Sequence, residues 1–203
     1  MLKAELYNHL QSKSNMKNRN FSSMLLTVAA ALFFSNALAI KSFCQEAPKP
    51  RAAVAVGQKA LPFHLTSIEG KKVNFPDDYK GKVVLLDFWA TWCGPCRKEL
   101  PNVVAAYQNY HDKGFEVVSV SLDVAQQGPQ VLQFTHDNNM TWPQIYDGGY
   151  WKAAVATEYG VCSIPCPVIV DGDSGKILAV GVEAVGRRLT NVIETALASK
   201  SGK

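Results

Sequence analysis

The residues best suited to chemistry in this chain are its cysteines. Five occur: Cys44, Cys93, Cys96, Cys162 and Cys166. Two residues separate Cys93 from Cys96, and three separate Cys162 from Cys166. Closely spaced thiols can form a redox-active disulfide, a structural disulfide or part of a metal site. Because five is odd, at least one cysteine is unpaired within the chain, and Cys44, alone in a Pro/Ala/Lys stretch, is the natural candidate.

The pair Cys93 and Cys96 lies where thiol chemistry is favoured. The motif Cys93-Gly94-Pro95-Cys96 follows an apolar run and opens a segment with helical spacing. The free N–H groups and dipole of a helix N-terminus stabilise a thiolate, which lowers the pKa of the first cysteine. We therefore expect Cys93 to attack a disulfide and Cys96 to resolve the mixed disulfide. Pro95 is tolerated because the first helical turn needs no N–H from it.

The elements that must position these cysteines alternate between strands and helices. Predicted extended segments are "PFHLTS", "KKVNF", "KVVLLDFW", "FEVVSVSL", "TWPQIYD" and the two halves of "PVIVDGDSGKILAVG". Predicted helices are residues 96–114, "GPQVLQFTHDNN", "GYWKAAVATEYG" and "RRLTNVIETALASK". The first two strands read as a β-hairpin turning at Gly70, and "KVVLLDFW" as a strand buried on both faces. This order predicts an α/β fold with a mixed sheet.

The N-terminal region has the composition of an export signal. Residues 1–39 carry four basic and one acidic residue, and an apolar run ends near Ala37-Leu38-Ala39, an A-x-A cleavage pattern. Met16 is a candidate for the true start. We expect a signal peptide over residues 1–39, a flexible linker over residues 40–57 and one domain over residues 58–203, placed outside the cytoplasm and anchored to the membrane only if the signal is retained.

Charge and composition narrow the function classes. Residues 40–203 carry 17 basic and 16 acidic side chains, so the predicted domain has no basic excess that would favour nucleic-acid binding. Apolar residues make up 47% of the chain, which is enough for a packed core. Tyr150 and Trp151 are interpreted as packing aromatics, with a substrate surface as the alternative.

The segment "FWATWCGPC" resembles the active site of the thioredoxin superfamily, and "GKVVLLDFWATWCGPCRKELP" with "TWPQIYDG" resembles its TlpA/ResA-like branch, close to the redoxin and alkyl hydroperoxide reductase families. The resemblance implies a thioredoxin fold with an added N-terminal β-hairpin and a central insertion. It also implies an exported thiol–disulfide oxidoreductase that uses no cofactor beyond its redox-active disulfide. Implied partners are apocytochrome c or other exported proteins as substrates, and a membrane thiol electron donor.

The resemblance also implies residue roles. Cys93 matches the attacking cysteine and Cys96 the resolving cysteine, with Trp92, Gly94 and Pro95 supporting the disulfide. Ile164-Pro165 matches the cis-proline pair that faces the active site and receives substrate.

Two acids complete the implied site. Asp87 matches the buried acid that handles the Cys96 proton, and its apolar neighbours make burial and a raised pKa plausible. The alternative for Asp87 is a backbone-bonded acid at a strand end. Glu99 matches a glutamate near the disulfide, and its alternative role is to stabilise the first turn of the helix through the dipole.

Cys162 and Cys166 depart from the family pattern. Our preferred hypothesis is a second redox pair that forms a disulfide beside the cis-proline loop, and two buried thiols are the alternative. Cys162-x-x-x-Cys166-Pro167 also resembles the copper-binding motif of Sco-type chaperones. A competing function is therefore a metal-binding module, with zinc or copper held by this pair with or without Cys93 and Cys96. A thiol peroxidase is a remote third hypothesis.

Overall fold

A computed structural model describes residues 54–201 of the chain. Its strands are β1 (Phe63–Thr66), β2 (Lys72–Phe75), β3 (Val83–Trp89), β4 (Phe115–Ser121), β5 (Gln144–Tyr146), β6 (Cys166–Asp171) and β7 (Lys176–Val180). Its α-helices are α1 (Gly94–Tyr110), α2 (Gly128–Asp137), α3 (Ala154–Glu158) and α4 (Arg187–Ser201). The predicted signal peptide, Cys44 and most of the predicted linker lie outside the described residues.

The centre of the fold is a five-stranded mixed sheet in the order β5-β4-β3-β6-β7. β3 pairs parallel with β4 and antiparallel with β6, while β4–β5 is parallel and β6–β7 antiparallel. All seven residues of β3 are buried, which explains why this strand is a continuous apolar run interrupted only by Asp87. The predicted α/β fold with a mixed sheet is confirmed.

The N-terminal hairpin forms a separate two-stranded sheet. β1 and β2 pair antiparallel, and the Phe63 and Phe75 rings stack with centroids 5.1 Å apart. The chain before β1 also contacts the fold, because the Gly57 N–H donates to the Ile177 carbonyl oxygen at 2.8 Å. Val54 packs against the core, so residues 54–57, which the sequence places in the linker, are tied to the sheet.

One segment that the sequence predicts as a single helix is interrupted in the structure, so that prediction is wrong. The segment "GYWKAAVATEYG" forms a 3₁₀ turn at Tyr150–Lys152 and then α3, separated by Ala153 with φ −51° and ψ 133°. The Asp147 carboxylate causes this interruption, and the apolar periodicity of the segment does not reveal it. Asp147 accepts hydrogen bonds from the Gly149 N–H and the Ala154 N–H, both at 2.8 Å, and so starts α3 afresh at Ala154.

α4 closes the fold against the β6–β7 turn. The Lys200 ammonium contacts the carboxylate of Asp171 and lies 2.6 Å from that of Asp173. Asp173 also accepts a hydrogen bond from the Gly81 N–H at 2.6 Å, so one acidic turn joins the start of β3 to the end of α4. None of the helices between residues 54 and 201 combines the length and the apolar character that a membrane crossing requires.

Candidate active site

Cys93 and Cys96 are joined by a disulfide at the N-terminus of α1. Their Cα atoms are 5.3 Å apart, and both residues are buried. Cys93 is the N-cap residue, and its Sγ accepts a hydrogen bond from the Cys96 N–H at 3.1 Å. The first turn of the helix therefore places the Cys96 N–H, which has no partner within the helix, against the sulfur that would carry negative charge after reduction. This contact favours the Cys93 thiolate. Gly94 and Pro95, which separate the two cysteines in the sequence, are exposed in the first turn of α1.

The loop that precedes β6 lies against this disulfide. The Ile164 carbonyl oxygen is 3.8 Å from Cys93 Sγ, and the Ile164–Pro165 peptide bond is cis. Ile164 and Pro165 are half-buried, so the loop is partly exposed beside Cys93. Pro165 has no N–H, so it presents no backbone donor at this position.

Asp87 lies on β3 with only 8% of its surface exposed. It lines a small cavity with Cys96, Glu99 and Pro165. Burial, and secondarily the nearby Glu99 charge, raise the pKa of Asp87 to about 7. A carboxyl group with such a pKa gains and loses protons at neutral pH.

Glu99 lies one turn into α1 and is half-buried. Its carboxylate accepts one hydrogen bond from the Gly186 N–H at 2.7 Å and another from Asn102 Nδ2 at 3.0 Å. Glu99 therefore joins α1 to the segment that enters α4. Glu99 lines the cavity beside Cys96, and its charge helps to raise the pKa of Asp87. The first turn of α1 contains no acidic residue, so the alternative role of Glu99 as a first-turn acid is wrong.

Asp123 supports the catalytic loop and was missed by sequence reasoning. It is fully buried just after β4, and its carboxylate accepts hydrogen bonds from the Thr91 N–H at 3.1 Å, the Thr91 hydroxyl at 2.5 Å and the Ser121 hydroxyl at 2.8 Å. Thr91 immediately precedes Trp92 and Cys93, so this network fixes the chain where it leaves β3. An acid directly after a buried parallel strand was the available sequence signal.

Three aromatic side chains lie together, and one of them directly precedes Cys93 in the sequence. Trp92 has its ring centroid 5.4 Å from that of Tyr150 and 6.0 Å from that of Trp151, and the Tyr150 and Trp151 centroids are 5.8 Å apart. We call Trp92, Tyr150 and Trp151 the aromatic cluster. Trp92 is 44% exposed and Tyr150 41% exposed, whereas Trp151 is half-buried and packs against the core, so the cluster lies at the surface and is anchored through Trp151.

Cys162 and Cys166 are both free thiols in this structure, so the hypothesised bridge between them is not formed. Cys162 is exposed, whereas Cys166 is half-buried and faces Phe88 in the β3–β6 register. Burial, and then the charges of Asp87 and Cys162, raise the pKa of the Cys166 thiol to about 11. Among residues 54–201, no three His, Cys, Asp or Glu side chains are grouped so that they could hold a metal ion.

Comparison with known proteins adds independent information. A model described as the AhpC/TSA family matches residues 56–180. The thiol-disulfide oxidoreductase ResA of Bacillus thuringiensis subsp. konkukian is 36% identical over 123 residues, which is 61% of this chain and 67% of the relative. The thioredoxin-like protein YneN of Bacillus subtilis is 37% identical over 124 residues, 61% of this chain and 69% of the relative.

Solved structures agree with these sequence relatives. The thioredoxin domain of a thiol-disulfide oxidoreductase from Bacteroides vulgatus superimposes with a TM-score of 0.62 at 30% identity, covering 71% of this chain and 99% of that domain. A thiol:disulfide interchange protein from Chlorobium tepidum superimposes with a TM-score of 0.58 at 26% identity, covering 71% of this chain and 99% of the other.

Proposed function

The chain belongs to the AhpC/TSA family and is a thiol–disulfide oxidoreductase, and on this basis we propose that it reduces disulfides of exported proteins through Cys93 and Cys96. The observation that carries the proposal is the position of Cys93. It caps α1, is bonded to Cys96 and lies 3.8 Å from the carbonyl oxygen of Ile164. One sulfur is thus placed against both a helix N-terminus and a loop that can hold a peptide.

The first step is attack on the substrate. In the reduced protein, the Cys93 thiolate attacks one sulfur of a substrate disulfide and forms a mixed disulfide, and the other substrate sulfur leaves as a thiolate. The N–H groups at the start of α1 stabilise the Cys93 thiolate before this attack. Trp92, next to Cys93, bounds the exposed side of the site.

The second step is resolution by Cys96. The Cys96 thiol gives its proton to the Asp87 carboxylate, and the resulting thiolate attacks Cys93 Sγ. The second substrate sulfur leaves as a thiolate, and the Cys93–Cys96 disulfide forms, which is the state seen in the structure. Two electrons have passed from the protein to the substrate. Asp87 suits this role because its pKa of about 7 lets it accept a proton at neutral pH.

The proposed location and partners of the protein are supported by its sequence. The signal-like residues 1–39 support a site of action outside the cytoplasm, where substrates such as apocytochrome c carry disulfides. A membrane thiol electron donor would then reduce the Cys93–Cys96 disulfide for the next cycle. We propose that this dithiol chemistry needs no further cofactor.

The test is reduction of insulin disulfides by the purified protein with dithiothreitol as electron donor. We expect Cys93→Ser to lower the rate to that of dithiothreitol alone, since the attacking sulfur is lost. Cys44→Ser is the matched control, because it removes a thiol outside the predicted domain, and we expect it to retain the wild-type rate. Undiminished reduction by Cys93→Ser would refute Cys93 as the nucleophile.

A further inference from the structure

The aromatic cluster is exposed at the point where a substrate must approach. Trp92 directly precedes the nucleophile, and Tyr150 and Trp151 reach it from a different part of the chain, the turn before α3. The rings are tilted or edge-on to one another, with interplanar angles of 53° to 68°. This arrangement leaves ring faces and edges accessible for another aromatic side chain.

The backbone that presents Tyr150 is strained. Tyr150 has φ 55°, which is a genuine outlier for a bulky residue. Such strain persists only where surrounding contacts enforce it, and it is concentrated at functional sites. The Asp147 carboxylate supplies one of these contacts through the Gly149 and Ala154 N–H groups.

Close packing supplies the other contacts that hold this turn. A Cβ atom at Gly148 would lie 2.8 Å from the Ala125 Cα, and one at Gly149 would lie 2.7 Å from the Ala153 backbone. Gly149 also forms an isolated antiparallel bridge with Val124. The turn is therefore fixed against its neighbours, and Tyr150 is presented at a defined position rather than on a loose loop.

Packing against the core accounts for Trp151 but not for the other two rings. Trp151 is half-buried against the core, whereas Trp92 and Tyr150 are each more than two-fifths exposed and contact each other at the surface. Val124, which bridges to Gly149 in this turn, is also 41% exposed. Trp92 directly precedes Cys93, so the aromatic cluster begins one residue from the nucleophile along the chain.

We propose that the aromatic cluster is a subsite for an aromatic side chain that flanks the target cysteine of the substrate polypeptide. The inference rests on the proposed function and specifies its substrate class. Tyr150 and Trp151 act on the target through its neighbouring residue, and the sulfur chemistry remains that of Cys93 and Cys96. The occupant is an extended substrate segment, since the Ile164-Pro165 loop on the other side of Cys93 is suited to such a segment.

The test uses three synthetic peptides, each with one intramolecular disulfide. One has alanine on both sides of the target cysteine, and the others carry phenylalanine directly before or directly after it. The pre-reduced protein is mixed with each peptide, and the second-order rate constant of reduction is measured. We expect one phenylalanine peptide to be reduced about 3- to 10-fold faster than the alanine peptide, the range that aromatic pairing supports.

Two substitutions and one control connect that selectivity to the aromatic cluster. Tyr150→Gly removes the ring while permitting the positive φ, so it separates loss of the ring from loss of the turn. We expect it to bring the phenylalanine-to-alanine rate ratio close to one, whereas Tyr150→Phe preserves the ratio. Leu132→Ala removes an apolar side chain of similar exposure, 39%, from α2, and we expect the wild-type ratio.

The outcomes separate the two proposals. Equal rates for all three peptides with the wild-type protein, or an unchanged ratio in Tyr150→Gly, would overturn the subsite and leave the reductase function standing. Failure of the wild-type protein to reduce any peptide would overturn the proposed function and the subsite with it. Tyr150→Gly could also keep the wild-type phenylalanine-to-alanine rate ratio and change its oligomeric state in sedimentation. That result would assign the cluster to contact with a second copy and would also overturn the subsite.

Discussion

Replacing Asp87 with asparagine should remove a large part of the pH dependence of folding stability in the oxidised protein. The folded-state pKa of Asp87 is about 7, against 3.8 for the free side chain. Between these values the folded protein keeps a proton that the unfolded chain has lost, so the free energy of unfolding falls as pH rises. Below pH 3.8 both states are protonated, and above pH 7 the burial of a charged carboxylate has its full cost.

The magnitude follows from the two pKa values. Their difference corresponds to about 4 kcal/mol of unfolding free energy. Asp87→Asn carries no charge at any pH and has nearly the same shape. We therefore expect the variant to be about as stable as the wild type near pH 4 and more stable by about 4 kcal/mol near pH 8.

The assay is urea unfolding followed by tryptophan fluorescence at several pH values, with both proteins oxidised. Titrating groups that do not interact with Asp87 contribute equally to the two proteins and cancel in the difference. Glu99→Gln provides a graded comparison, because the Glu99 charge contributes to the raised pKa of Asp87, and we expect it to reduce the fall in stability between the two pH limits. A wild-type-to-Asn difference that stays constant with pH would refute the assignment of Asp87 as a buried, proton-exchanging acid.

Two further predictions concern the end of the fold and the second cysteine pair. Burial alone would raise the pKa of Asp171, but hydrogen bonds from Lys200 and Ser174 and the Lys200 charge together lower it to about 2. With solvent screening at this partly exposed site, Lys200→Met should cost about 1 kcal/mol near pH 7 and less as pH falls toward 2, measured by urea unfolding. An equal cost at both pH values would contradict the ion pair. The hypothesis that Cys162 and Cys166 are a second redox pair predicts that the fully reduced Cys44→Ser protein reduces about two equivalents of oxidised peptide. The same protein with Cys162→Ser added should reduce about one equivalent, as counted by alkylation and mass spectrometry. Equal stoichiometry in both proteins would exclude the second pair.

Local features of the sequence predicted the scaffold well. β3 was predicted because a strand covered on both faces must be apolar throughout, and α1 because helical spacing follows the cysteine motif directly. The hairpin of β1 and β2 carries a turn signal in its own sequence, with Gly70 at φ 87°. These elements are determined by neighbouring residues, so single-sequence reasoning can reach them.

The sequence alone does not predict side-chain contacts between segments that are distant along the chain. Thr91 meets Asp123 across 32 positions, and Trp92 meets Tyr150 across a longer interval, so neither pairing has a periodic signal. The break before α3 depends on a carboxylate seven positions away from the N–H that it caps. The exposure of an aromatic side chain depends on the tertiary fold, so the sequence alone does not show that Tyr150 lies at the surface.

The central claim is that Cys93 attacks the substrate and Cys96 resolves the mixed disulfide. The most direct measurement uses the reduced Cys96→Ser variant, which can attack but cannot resolve at that position. It is mixed with an oxidised disulfide peptide, and the covalent adduct is mapped by mass spectrometry. We predict one peptide bound through Cys93, and an adduct on another cysteine with Cys93 left as a free thiol would contradict the account.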